Sequence, residues 1–319
     1  MAHDIHDAFV KKIFEQPENA AGLLAEVLPP ELAEIIDFGT LALQSGSFVD
    51  SDLAKRYSDL LFSARTKRGD EVLIYLLIEH QRTPYRLLPL RALVYEVRIL
   101  SRWLADHPKA TELPPVFTVV LQQHRSTATP ALLSSLFAHA DVLPPASRRY
   151  LPDLELIVLD LPNEDDHVLL QRGMPDAAKL GLLVLKHAPH SEDFLARFRR
   201  WMHVVRSLVQ HPSGPDALRV LLRYIDEVSE HVKLAEIEQL IAVEIGSPGA
   251  TTMATIAQTL REEGRIEERR STLLRLLTLR FGALPIEVVD RIRSAAGEQL
   301  LAWTDRFVTA QTIQQVFDR

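Results

Sequence analysis

Apolar positions along the first 160 residues change period several times, and each change marks a new element. From residue 6 to 28, Phe9, Ile13, Phe14, Leu23, Leu24, Val27 and Leu28 recur at helical spacing, with a break expected near Pro17. Pro29-Pro30 ends this stretch, and a short helix over 31–36 follows. Residues 41–49 predict a strand interrupted by Ser45-Gly46-Ser47. Two runs, 55–66 and 71–80, flank the turn signal Lys67-Arg68-Gly69-Asp70 and predict a β-hairpin. The second run holds seven consecutive apolar residues, 72–78, as a buried strand would.

A long helix over 86–106 has Leu87, Leu90, Val94, Val97 and Leu104 among its apolar positions, and it tolerates Pro89 only in its first turn. Residues 116–121 and 154–161 read as strands, separated by a loop-rich insert at 122–152. From 176 onward the periodicity is helical throughout: 176–187, 191–210, 214–232, 234–245 and 250–281, then short helices after Gly282, Gly297 and Ala310. Helix, three strands, helix and strand in that order predict a mixed α+β sheet domain, followed by an all-helical region. The acidic stretch Asn163-Glu164-Asp165-Asp166 marks a boundary, giving expected domains over 1–165, 166–250 and 251–319.

Composition narrows the class. Apolar content of 47% and charged content of 25% are those of a globular chain, and no apolar run approaches the ~20 residues of a membrane span. The first residues lack a basic segment and an apolar core, so no secretory signal is read and a cytoplasmic location is expected. The absence of cysteine excludes disulfides and thiolate metal sites. A net charge of −7 argues against a strongly electrostatic nucleic-acid binder, yet leaves room for an enzyme with a local basic patch. Only eight of the 36 basic residues are Lys; the Arg bias suits bidentate phosphate contacts.

The candidate chemistry lies on the hairpin. Twenty residues separate Asp59 from Glu79, and the turn signal falls almost midway. With a loop of odd length or a one-residue bulge, residue i would face residue 138 − i, placing Asp59 opposite Glu79 and Gln81 on the same face. Two carboxylates meeting at the end of an apolar strand form a layout that grips Mg²⁺, and Gln81 could orient a water without supplying charge. The same acids also read as two solvated strand-end residues, and the residues alone leave both readings open.

With the strand order and acids in hand, the chain resembles the YhgA-like transposase family, also called the recombination-promoting nucleases, within the PD-(D/E)XK nuclease superfamily. The resemblance rests on His6-Asp7-x-Phe9-x-Lys11, Gly46-Ser47-Phe48-Val49-Asp50, Ser58-Asp59-Leu60-Leu61, Tyr75-Leu76-Leu77-Ile78-Glu79-His80-Gln81 and Leu90-Arg91. It covers about residues 6–160. The tail, with Leu279-Arg280-Phe281-Gly282, Leu284-Pro285, Glu298-Gln299-Leu300 and Trp303, looks like a small helical domain attached to such proteins. The resemblance implies a restriction-endonuclease-like core sheet and a DNA endonuclease using Mg²⁺ or another divalent cation. Asp59 and Glu79 would be its metal ligands, and Gln81 would stand where the superfamily has lysine. Asp7 would take an outer metal or phosphate-side role. Where the family usually carries Tyr-His-Gly after the fourth strand, this chain has Gln122-Gln123-His124. The rival reading is a nuclease fold kept as a DNA-binding or assembly module.

Other residues read more simply. His80 would lie on the opposite strand face as a packing or hydrogen-bonding residue, and Lys11 and Lys12 on a solvated helix face, with phosphate contact near the first helix as their alternative. Phe198 and Trp201, inside Arg197-Phe198-Arg199-Arg200-Trp201, form a core stripe at helical spacing rather than a base-stacking surface. The charge-balanced stretch 261–270 suits an exposed helix of Glu–Arg pairs, with self-association through the helical region as a further expectation.

Overall fold

A computed structural model describes residues 2–44, 60–79, 86–123, 131–138, 142 and 144–317. Pro17 breaks the first amphipathic stretch into α1 (Ala2–Phe14) and α2 (Pro17–Val27), with Pro17 at the first turn, where a missing N–H costs nothing. Asn19, buried in α2, donates through Nδ2 to the Ile13 carbonyl at 2.8 Å and closes the end of α1. A single turn, α3 (Pro30–Ile35), leads directly into β1 (Ile36–Leu43).

That strand begins five residues earlier than the expected 41–49, whose remainder lies outside the described residues. A bulge hides its alternation. The register with its neighbour shifts between Asp37 and Ala42. Within the bulge, the Thr40 hydroxyl donates to the Asp37 carbonyl and accepts from the Arg65 N–H. Extra residues in a bulge break the period of two that a sequence pattern relies on.

The hairpin is formed by β2 (Leu60–Thr66) and β3 (Glu71–Glu79). Its loop has three residues, 67–69: Thr66 N–H bonds the Asp70 carbonyl at 2.7 Å, and Gly69 N–H bonds the Thr66 carbonyl at 2.8 Å. Gly69 has φ +99°, a conformation that a side chain would disfavour and that this type of hairpin loop requires. Arg65 pairs with Glu71 and Leu60 with Leu76, so residue i faces 136 − i. The expected 138 − i is corrected by two residues because the hairpin is centred on Arg68 rather than Gly69. An even shift leaves unchanged which positions share a face.

Between β3 and the parallel strand β4 (Val116–Gln122) runs α4 (Leu88–Asp106), with Pro89 in its first turn. A crossover helix is what a parallel pair needs. A final strand, β5 (Ile157–Asp160), adds in parallel to β4 and completes a mixed five-stranded sheet in the order β1-β2-β3-β4-β5. One face of the sheet packs Leu61, Leu73, Tyr75, Leu77 and Val120 against Leu88, Ala92, Tyr95 and Ile99 of α4. Facing the other way, Phe62, Ile74, Leu76, Ile78, Val119 and Leu121 are buried as well. Burial on both faces explains the unbroken apolar run in β3.

The helices that follow are α5 (Asp166–Gln171), α6 (Asp176–His187), α7 (Phe194–Arg200), α8 (Met202–Gln210), α9 (Gly214–Val228) and α10 (Leu234–Ile245). Helix α1 packs against α6 and α9. The single helix expected over 191–210 is interrupted at Trp201, which is buried with Phe194, Phe198 and His187 around its ring. Phe198 and Trp201 are thus core residues, as their spacing predicts. Asp166 ties α5 to α6, accepting from Lys186 Nζ at 2.8 Å and His187 Nε2 at 2.9 Å.

Two compact units are distinguished, 1–249 and 250–319. The second contains most of α11 (Ser247–Phe281), then α12 (Ile286–Ser294), α13 (Gly297–Thr309) and α14 (Ile313–Phe317). Its core gathers Leu273, Leu277, Ile292, Leu300, Trp303, Val316 and Phe317. The Arg291 guanidinium lies over the rings of Trp303 and Phe317. Along α11, Glu262–Arg265 forms an exposed pair of the kind the charge pattern predicts, and Glu267 pairs with half-buried Arg270. Among the described residues, no helix is long and apolar enough to cross a membrane.

Candidate functional site

The C-terminal ends of β3, β4 and β5 form one edge of the sheet, where the register aligns Glu79 with Gln122 and Gln122 with Asp160. Residues paired in register share a face, and odd positions of β3 belong to the face covered by α4. Glu79 is placed by its backbone as the last residue of β3; its side chain is not described. Asp59, Gln81 and His80 lie outside the described residues.

Neighbours of position 79 are described in more detail. Gln122 is 1% exposed at the first position of the Gln122-Gln123-His124 stretch. Asp160 accepts from Asn163 Nδ2 at 2.8 Å through one carboxylate oxygen; its other oxygen is buried with no hydrogen-bond partner among the described residues. Two strand spacings, about 10 Å, separate the Asp160 backbone from that of Glu79, too far for the two to be assumed to share one ion.

Helix α4 runs antiparallel to β3 and β4 and is pinned at three levels. Trp103 Nε1 donates to Glu71 at the start of β3 (2.9 Å), Tyr95 meets the Tyr75 ring edge-on, and Thr118 of β4 donates to Glu96 Oε1 at 2.6 Å. Burial raises the Glu96 carboxyl above the ordinary range, and the Thr118 bond offsets this only in part. The N-terminal turns of α4 are thereby held over the same sheet edge.

On the α1 side, Gln123 continues β4 and meets a network that no sequence pattern signalled. Its Nε2 lies 3.2 Å from His6 Nδ1 and 3.3 Å from the Leu185 carbonyl. The Tyr224 hydroxyl, from α9, lies 2.6 Å from the same imidazole nitrogen. Phe9 stacks on the Tyr224 ring at 3.9 Å, and burial drives the phenol's pKa far up, so it remains a donor. Asp7 is buried beside His6 on α1, at 5% exposure. The motif His6-Asp7 therefore reaches the end of β4, and a residue more than 200 positions away holds it there. Lys11 and Lys12 lie on the exposed side of α1, with Lys12 paired to Glu15.

A mixed sheet with a crossover helix, flanking helices and acids at the ends of central strands defines an α+β protein with its candidate site at a sheet edge. The chain belongs to the family described as "Putative transposase, YhgA-like", whose model matches residues 4–215. It is 30% identical over 303 residues to the recombination-promoting nuclease RpnA of Escherichia coli K12, covering 93% of this chain and 96% of that protein. Similarity to the recombination-promoting nuclease RpnD of E. coli O157:H7 is 31% over 166 residues, 52% of this chain and 62% of the relative. The inactive recombination-promoting nuclease-like protein RpnE of E. coli K12 is 27% identical over 260 residues, 81% of this chain and 82% of that protein. No solved structure matches significantly.

Proposed function

We propose that this chain is a divalent-metal-dependent DNA endonuclease of the PD-(D/E)XK type, hydrolysing phosphodiester bonds. The observation that carries the reading is the position of Glu79: an acid at the C-terminal end of a central, doubly covered strand, in register with buried Gln122. An acid at the end of so apolar a strand is costly unless it has a partner to hold. The similarity to RpnA over nearly the whole chain supports the same class.

Asp59 and Glu79 would hold the ion, and with Gln81 they offer oxygen donors only, the ligand chemistry that Mg²⁺ prefers. When bound, such an ion lowers the pKa of a coordinated water and screens the phosphate's charge. Gln81 would orient the attacking water through its amide, and Asp7 would take an outer metal or phosphate-side role. Supercoiled-plasmid nicking with and without Mg²⁺ tests the proposal: parent protein should cut only with the ion, and Asp59→Ala should not cut at all. Cutting that is indifferent to metal and to Asp59 would overturn it.

The alternative is a nuclease fold kept as a DNA-binding or assembly module, which the similarity to the inactive relative RpnE favours. It predicts DNA binding that is the same with or without Mg²⁺, and no cleavage.

A further inference from the structure

We infer that the outer face of α4 pairs with the same face of a second copy of this chain, the two helices lying parallel about a two-fold axis. The periodicity of the sequence makes Leu87, Leu90, Val94, Val97 and Leu104 apolar positions of this helix. The sheet, however, is covered by a different stripe, Leu88, Ala92, Tyr95 and Ile99. The first five lie on the other side of α4 and are 41–54% exposed. Helix α4 is therefore apolar on two faces, and among the described residues only the stripe on the sheet is covered.

The spacing of the outer stripe points to a helix as its occupant. From the N-cap Leu87, the residues Leu90, Val94, Val97, Ser101 and Leu104 follow at intervals of three, four, three, four and three. That repeat is the seam of a two-stranded coiled coil. Ser101, the polar member of the stripe, donates its hydroxyl to the Val97 carbonyl at 2.7 Å, so burying it leaves no proton unmet.

The flanks of the seam select the partner and its direction. Half-buried Leu93 and Leu100 border it on one side, and exposed Arg98 borders it on the other. In two parallel copies each flank faces the opposite flank of the other copy. The apolar stem of Arg98 then covers Leu93 of the other copy while its guanidinium stays in water. Antiparallel copies would set both Arg98 side chains on one flank, like charge beside like charge. Because the sheet already holds α4 in place, pairing carries no cost of forming the helix. The strip is about 25 Å long and one helix wide, which is small for a specific interface. The pairing is therefore reversible, with a dissociation constant on the order of micromolar or weaker. This places self-association in the sheet domain rather than in the C-terminal helical region.

The chain has no cysteine, so single introduced cysteines report the geometry. Under mild oxidation, Leu90→Cys and Leu104→Cys should each form a disulfide-linked dimer with itself. Arg102→Cys, exposed on α4 but outside the seam, should form far less. Sedimentation velocity between about 1 and 200 µM should show a reversible parent dimer. Val94→Arg and Val97→Arg should each weaken it about 100-fold or more, the cost of an unpaired charge in an apolar seam. Their melting temperatures at low concentration should match the parent's, because both positions are exposed in the single copy. If either Arg variant does not fold, Val97→Ser takes its place in the same comparison. A parent that stays monomeric at the highest concentration overturns the inference, as does a dimer indifferent to both Arg substitutions. Cross-linking as fast at 102 as at 104 overturns it too. So does a mixture of Leu87→Cys and Leu104→Cys that links only as the mixed pair, the mark of antiparallel helices.

Discussion

Thr118 of β4 donates its hydroxyl to Glu96 of α4 at 2.6 Å, joining a strand to the helix before it through residues 22 positions apart. The bond sets the height of α4 above the sheet. It also places a carboxylate where burial disfavours its charge.

Stability should therefore fall as pH rises through the Glu96 titration. The folded form keeps its proton to higher pH than the unfolded chain, so above the ordinary value near 4.5 folding is progressively penalised. Glu96→Gln keeps an acceptor for Thr118 and removes the charge. Its melting temperature should exceed the parent's at pH 7.5 and match it near pH 4. Equal shifts at both pH values would show that the gain has another origin.

Asp59→Ala and Glu79→Ala should each abolish Mg²⁺-dependent nicking while leaving the melting temperature nearly unchanged or raised. In the proposed site the two carboxylates would repel without an ion, so removing one would relieve like-charge strain. Variants that cut like the parent would place the activity elsewhere.

Gln81→Ala should lower cleavage by roughly 10–1000-fold, around the loss of one positioned donor, with metal affinity changing much less. Gln81→Lys should retain at least partial activity, since in the proposed site its amine would reach the same water. Isothermal titration with Mg²⁺ separates the two effects, and a full parental rate for Gln81→Ala would remove the water-orienting role.

The Asp166–His187–Lys186 cluster should give the fold an acid limit. Burial lowers the His187 pKa despite its bond to Asp166, so the unfolded chain binds a proton below about 6.5 that the folded one resists. Burial would raise the Asp166 pKa, but bonds from His187 and Lys186 outweigh it and lower it overall. Both effects remove stability as pH falls, His187 first below its ordinary value and Asp166 in stronger acid. Asp166→Asn, which leaves buried Lys186 with a weaker acceptor, should cost about 1–3 kcal/mol at pH 7.5. Urea denaturation at pH 5 and 7.5 measures both, and for His187→Gln the difference between the two pH values should shrink.

Much of this was legible in the chain because it is local. The helical spacing from 6 to 28, the proline at 17, the turn at 67–70 and the apolar run of β3 are fixed by short-range sterics and burial, and the structure follows them closely. The acid at the end of β3 is likewise a local signal. Tertiary structure decided what depends on distant partners. The bulge that moved β1 forward is held by Arg65 on the next strand, and the centre of the hairpin at Arg68 emerges from pairing across it. Tyr224 reaches His6 only because α9 packs on α1, and Glu96 meets Thr118 only because α4 packs across the sheet. Periodicity encodes which face of an element is buried; which residue meets it from elsewhere in the chain is set by packing, to which the period is blind.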